Sequence, residues 1–164
     1  MTLDFAAVLR ALGEHDVRYV LIGGLAANAR GSATITYDLD ICYARDKENL
    51  ERLAAALRSM HALLRGVDED LPFILDAQSL RNGDSFTFVT DFGPVDILAT
   101  PSGTSGFDDL VKAANEMALA GHAVLVVALD DLIRMKRAAG RAKDRIEVEN
   151  LIALRDLLTE RGEL

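Results

Sequence analysis

Two aspartates, Asp38 and Asp40, stand one leucine apart in the stretch YVLIGGLAANARGSATITYDLDICYA, residues 19–44. The surrounding residues alternate as a strand does, yet a carboxylate is a poor strand residue and is costly to bury. Side chains at i and i+2 of a strand project to the same side, so the pair presents two carboxylates about 7 Å apart on one face. Like charges so placed repel unless a cation lies between or above them. Hard oxygen ligands on a rigid strand suit Mg²⁺ or Mn²⁺. Asp96, in PVDILA, is a third acid in a strand-like apolar context. If its strand lies beside the first, the three carboxylates can hold two metal ions roughly 4 Å apart, an arrangement that activates an attacking oxygen and stabilises a leaving one. A lone D-x-D equally suits a solvated strand edge or a turn. The third acid and a nearby glycine pair tip the balance toward a metal site.

That pair, Gly23-Gly24, ends the apolar run RYVLI and precedes the helix formers LAANAR. A strand that turns into a helix at glycines can offer backbone N–H groups to a phosphate. The stretch is neither a Walker loop nor a G-x-G-x-x-G fingerprint, and a tight turn alone would also explain two glycines.

The remaining elements must place these residues together. Residues 4–13 read as an amphipathic helix with Phe5, Leu9 and Leu12 on one side. YDLDICYA alternates, with Asp38, Asp40 and Cys42 on one face and Leu39, Ile41 and Tyr43 on the other. Asp46 fits the N-cap of a long helix over 47–66, striped by Leu50, Leu53, Leu57 and Leu64. Residues 68–84 read as irregular with one helical turn. SFTFVTDFGPVDILAT reads as a hairpin turning at Gly93-Pro94, FDDLVKAANEMALAG as a helix and HAVLVVAL as a strand or strand-like connection. From Asp130 the pattern is helical, with a break near Gly140. Strands that come singly between helices, with one antiparallel pair, predict an α/β fold: a mixed β-sheet flanked by helices. The expected organisation is a single domain over 1–164, with an α/β core to about residue 128 and C-terminal helices from about 129.

IGG, then thirteen residues after Gly24, then DLD and a later VDIL, resembles the nucleotidyltransferase superfamily of DNA polymerase beta. GLAANARGSATITYDLDI, FDDL and ALDDLIRMKRAAGRAKDRIEVENLIAL extend the resemblance to small bacterial nucleotidyltransferase-like proteins, many of them in toxin–antitoxin or phage-defence systems. It spans about residues 15–155. The resemblance implies a nucleotidyltransferase-like fold, with Asp38, Asp40 and Asp96 as catalytic and metal-ligating acids. Gly23 and Gly24 would contact a nucleoside triphosphate, and Asp96 would be the candidate general base for an acceptor hydroxyl. The subgroup commonly carries an arginine a few residues before the acid pair; Thr34 stands there in this sequence.

RMKRAAGRAKDR gathers six cations against Asp144. On one continuous helix Arg134, Arg137, Arg141 and Arg145 would share a face, either solvated and paired to acids such as Asp130, Asp131 and Glu149 or functional. The resemblance places MK and GRAKD beside the active site, where Lys136 first, then Lys143 and Arg141, would neutralise phosphate charge.

The other candidates are structural readings. His15, His61 and His122 lack metal-ligand spacing, and Cys42 reads as a small buried hydrophobe. Asn28 and Arg30 fit either a nucleotide border or a surface helix. DFG at 91–93 resembles a kinase motif, but a hairpin turn suffices.

With 164 residues, half of them hydrophobic and a formal net charge of −8, the chain suits a globular domain with a real core and argues against an extended nucleic-acid surface. No apolar run reaches the roughly 20 residues a membrane crossing needs, and the N-terminus lacks a signal-peptide pattern. With its single cysteine, the chain is expected in the cytoplasm. The expected function is metal-dependent transfer of a nucleoside monophosphate to an acceptor hydroxyl on a protein, an RNA end or a small molecule. The alternative is a weak or inactive relative acting as an antitoxin or regulator of a partner protein.

Overall fold

The computed structural model describes residues 2–68 and 72–164. Its centre is a seven-stranded mixed sheet in the order β3-β4-β5-β2-β1-β7-β6. The strands are β1 (Tyr19–Ile22), β2 (Leu39–Tyr43), β3 (Leu63–Leu64), β4 (Ser85–Thr90), β5 (Gly93–Leu98), β6 (Asn115–Leu119) and β7 (His122–Val126). The helices are α1 (Phe5–Glu14), α2 (Gly23–Ala29), α3 (Lys47–Ser59), α4 (Ala77–Asn82), α5 (Phe107–Leu110), α6 (Leu129–Ala139) and α7 (Ala142–Glu160). The α/β class, the mixed sheet and the helical C-terminal part agree with the sequence reading. No described helix is long and apolar enough to cross a membrane.

The middle of the sheet carries the core. Val20, Leu21, Ile22, Leu39, Ile41, Tyr43, Val95 and Ile97 are buried. In β5 the alternation is strict: Val95 and Ile97 face the core while Asp96 points the other way. Helix α1 packs against α3 and β7, and α2 against β1, β2 and α6.

Polar groups secure the strand ends. Asp46 caps α3 by accepting from the Asn49 N–H at 3.1 Å. The fully buried Asn49 then accepts from the Arg18 N–H at 2.7 Å and donates to the carbonyls of Arg18 and Ala44 at 3.0 and 2.7 Å. One amide thus ties the entry of β1 and the exit of β2 to α3.

Three elements depart from expectation. Helix α3 stops at Ser59 instead of running to 66. His61 turns left-handed (φ 52°), and Leu63 and Leu64 pair with Val89 and Phe88 of β4, so Leu64 reaches the core from a strand. The stretch expected as one helix after Phe107 is helical only to Leu110, and Asn115–Leu119 forms a hairpin with β7. Its two-residue loop, Ala120-Gly121, has φ of 50° and 80°, matching the tight turn that favours hairpins. Cross-strand pairing there overrides the helix preference of Glu, Met and Ala. The β4–β5 loop is Asp91-Phe92, two residues earlier than expected, because Thr90 pairs with Gly93 and donates its hydroxyl to the Gly93 carbonyl. Within 68–84 the expected helical turn is α4; residues 69–71 lie outside the described residues.

Replacing Asn49 by Ala removes three side-chain hydrogen bonds: the Arg18 N–H and the Ala44 carbonyl lose their Asn49 partner, while the Arg18 carbonyl keeps the Ala44 N–H at 3.2 Å. The variant should lose about 2–3 kcal/mol of stability, against about 1 kcal/mol for Asp46→Ala, which removes a cap and an exposed ion pair to Arg18. Urea unfolding of the two variants reads the difference.

Candidate active site

The sheet brings the three acids together. Strand β2 runs parallel to β5 with Asp40 opposite Asp96, and Asp38 lies one residue before β2. One carboxylate oxygen of each lies within 4.8 Å of the others. All three are half-buried. The donor set is oxygen only, held on two hydrogen-bonded strands, and it fits a hard divalent cation.

The glycine pair explains how α2 comes so close. Ile22 pairs with Asp40 across β1 and β2. The next residue, Gly23, has φ 70°, and a Cβ there would run into the Asp40 carboxylate. A Cβ on Gly24 would lie 2.7 Å from Thr36. Both positions are therefore confined to glycine by close approach, and Gly23 also by its left-handed backbone. No side chain caps the start of α2.

A cavity of about 490 Å³ opens over the acids. Gly23, Gly24, Asp38, Asp40 and Asp96 line it, and so do Lys136, Arg141 and Lys143. The sequence-predicted residues thus share one cavity. The cations do not share one helix, however. Gly140, in the left-handed region (φ 66°), ends α6, and Arg141 is the N-cap of α7. The two helices fold back as an antiparallel pair, which the ion pairs Lys136–Glu147 and Asp130–Arg155 register. The continuous arginine face therefore does not form: Arg134 is held instead by Asp109 and Asp131.

The electrostatics of the acids are uneven. Burial, reinforced by the charges of Asp96 and Asp38 and by a hydrogen bond to Asp96, pushes the Asp40 carboxyl up to about 7, with Lys136 opposing. Asp96 is raised by burial and by Asp38, while Arg65 and the hydrogen bond from Asp40 hold it down. Burial and mutual repulsion thus favour the protonated form in both carboxyls, Asp40 above all. Lys136 Nζ lies 2.6 Å from Glu147 and 3.6 Å from Asp144. Asp144, 1 % exposed, accepts from the Arg141 backbone N–H and from its guanidinium at 2.7 Å, which holds its carboxyl below the usual range.

Two features escaped the sequence reading. Arg65, just past β3, lies 3.3 Å from Asp96; nothing in its local sequence marks it, because the contact depends on the β3–β4–β5 register. Glu147, three residues after Asp144, shared the site with Lys136 only once α7 folded back. Arg30 does not line this cavity: its guanidinium clamps the carbonyls of Val126 and Val127 and the side chain of Asn115. Cys42 is buried, donates to the Ala99 carbonyl at 3.6 Å, and has its thiol pushed up to about 12 by burial.

Neither a family model nor a curated protein matches this sequence. Solved structures match the fold. The lincosamide antibiotic adenylyltransferase LnuA, in its lincomycin-bound crystal structure, is 13% identical with a TM-score of 0.62, covering 93% of this chain and 98% of that one. A Thermotoga maritima protein assigned as a nucleotidyltransferase is 17% identical with a TM-score of 0.54, covering 95% and 91%. The antibiotic-resistance factor ANT(2'')-Ia is 17% identical with a TM-score of 0.53, covering 94% and 89%. The chain therefore has the fold of the nucleotidyltransferases.

The folded protein holds the Asp40 proton more tightly than the unfolded chain, whose carboxyl titrates near 3.8. Between about pH 4 and pH 7 the folded state carries the extra proton, so metal-free stability should fall as pH rises through that window and level off above it. Asp40→Asn removes the penalty: its Tm should exceed wild type by about 3–6 °C at pH 8 and match it at pH 4. Thermal melts in EDTA at the two pH values check this.

Proposed function

We propose that the protein is a metal-dependent nucleotidyltransferase that moves a nucleoside monophosphate from a nucleoside triphosphate to an acceptor hydroxyl in the cytoplasm. The observation that carries the reading is the convergence of Asp38, Asp40 and Asp96 on adjacent strands beside the uncapped start of α2. The fold shared with LnuA and ANT(2'')-Ia supports it.

Asp38, Asp40 and Asp96 would hold magnesium or manganese, which when bound supplies positive charge against the triphosphate and the attacking oxygen. The backbone N–H groups of Gly23 and Gly24, at the uncapped start of α2, would donate to the phosphates. Lys136, Arg141 and Lys143 neutralise their outer charge. Asp96 accepts the proton as the acceptor oxygen bonds to the α-phosphorus. The bond from that phosphorus to the bridging oxygen breaks, and pyrophosphate leaves with its electron pair. Thr34, where the resembled subgroup has arginine, leaves the phosphate charge to the C-terminal cations. The acceptor is a protein, an RNA end or a small hydroxyl compound.

A second reading is a catalytically silent relative that binds a partner protein as antitoxin or regulator. Ile35 and Tyr37, 76 % and 74 % exposed at the cavity's edge, favour it by offering an apolar rim.

Calorimetry with each nucleoside triphosphate should show binding that requires Mg²⁺ and disappears in the Asp38→Asn, Asp40→Asn double variant; equal binding by that variant would sink the metal-site assignment. Lys136→Met should weaken binding about tenfold, ~1.4 kcal/mol. Incubation with labelled triphosphate and cell extract should release pyrophosphate and label an acceptor. Triphosphate binding with no release under any condition would transfer the case to the silent relative.

A further inference from the structure

The charges around the acids are not distributed evenly. Lys136 acts on Asp40 but is itself pinned by Glu147 and Asp144, and Arg141 is engaged by Asp144. On the other flank, Asp96 is the member of the triad with an ion-pair partner among the described residues, and that partner is Arg65.

Arg65 is well placed and weakly held. Its backbone N–H donates to the Thr87 carbonyl at 2.9 Å, and Thr87 is the β4 residue opposite Asp96. The sheet register thus delivers the guanidinium to Asp96. The contact is one N–O approach of 3.3 Å, not a two-point fork, and the side chain is 39 % exposed. Such a pair contributes little to stability and leaves the arginine free to turn into solvent. Gly66, with φ 75°, follows directly and ends any regular structure there.

We propose that Arg65 is a resident counter-ion that occupies Asp96 in the metal-free protein and must yield when a divalent cation takes that carboxylate. A cation held mainly by Asp38 and Asp40 does not compete with it. A cation that needs Asp96 does, because a guanidinium and a metal ion cannot both neutralise the same oxygen at contact distance. Arg65 therefore weakens the Asp96-dependent metal position and leaves the other position unchanged. It is a positioning residue that acts through Asp96. The inference rests on the metal-binding reading of the triad.

Titration with Mn²⁺ alone, following the signal of the free ion by electron paramagnetic resonance, tests this without any turnover. Wild type should show a tighter and a weaker class of bound Mn²⁺. Arg65→Gln should tighten the weaker class at least threefold and leave the tighter class unmoved, while Arg65→Lys should stay near wild type. Adding Asp96→Asn to Arg65→Gln should erase the gain, as a coupled pair requires. Matching melts and circular dichroism establish that the variants fold. Wild-type binding that Asp38→Asn with Asp40→Asn abolishes, but that Arg65→Gln leaves unchanged or weakens, overturns the counter-ion role alone. Absence of Mn²⁺ binding in all variants overturns both this role and the metal reading.

Discussion

The parallel ladder between β2 and β5 governs the site. It pairs Asp40 with Asp96, and neighbouring strands lie about 4.8 Å apart. No side-chain rotation can carry the two carboxylates far from each other while those strands remain hydrogen-bonded. The backbone therefore enforces a repulsion that neither residue would choose. Positive charge relieves it from three sides: burial and the neighbouring acids favour the protonated form of Asp40, Arg65 approaches Asp96, and the charge of Lys136 acts on Asp40. All three supply positive charge to one small volume. A divalent cation does the same in a single step, which is why the geometry itself, before any likeness to other proteins, points to a metal.

The C-terminal helices follow a complementary rule. A chain with a net charge of −8 has little general attraction for a triphosphate, so any attraction must be local. Folding α7 back on α6 brings Lys136, Arg141 and Lys143 together in the lining of the cavity. The same fold brings Asp144 and Glu147 among them, and these acids hold Lys136 and Arg141 in place while the site is free of ligand. Fixed cations lose less side-chain entropy on meeting a phosphate than free ones do. In the proposed reaction a phosphate would compete with carboxylates already present, so its affinity would depend on the balance between two sets of fixed charges.

Much of this was legible in the sequence, and the boundary is physical. Asp38, Asp40 and Asp96 stood out because ionised residues in apolar strand patterns violate the usual preference, and such violations mark sites. Asp46 was readable as a cap because capping is local. Arg65 was not readable, because its contact with Asp96 arises from three strands in register and from no pattern near residue 65. The helix expected through Asn115–Leu119 failed for a related reason: Glu, Met and Ala favour helix, but the Ala120-Gly121 turn and the partner strand β7 decided the outcome. The single basic helix failed at Gly140, where the left-handed backbone redirects the chain. Local chemistry could be read one residue at a time, while pairing and chain reversal could not.

Gly23 and Gly24 show how packing and chemistry merge. As sequence they suggested a phosphate cradle. The structure supplies a steric reason that needs no phosphate: side chains there would collide with Asp40 and Thr36. The two reasons are one. Removing both Cβ atoms is what lets the first turn of α2 sit directly against Asp40, and α2 has no side-chain cap to occupy its leading N–H groups. Unpaired donors at a helix start carry partial positive charge. They lie immediately beside the carboxylates that would hold a cation. A helix start and three carboxylates thus set opposite charges side by side, and the proposed metal and nucleotide binding rests on that juxtaposition. The close approach of α2 and the open helix start are therefore secured by the same missing atoms.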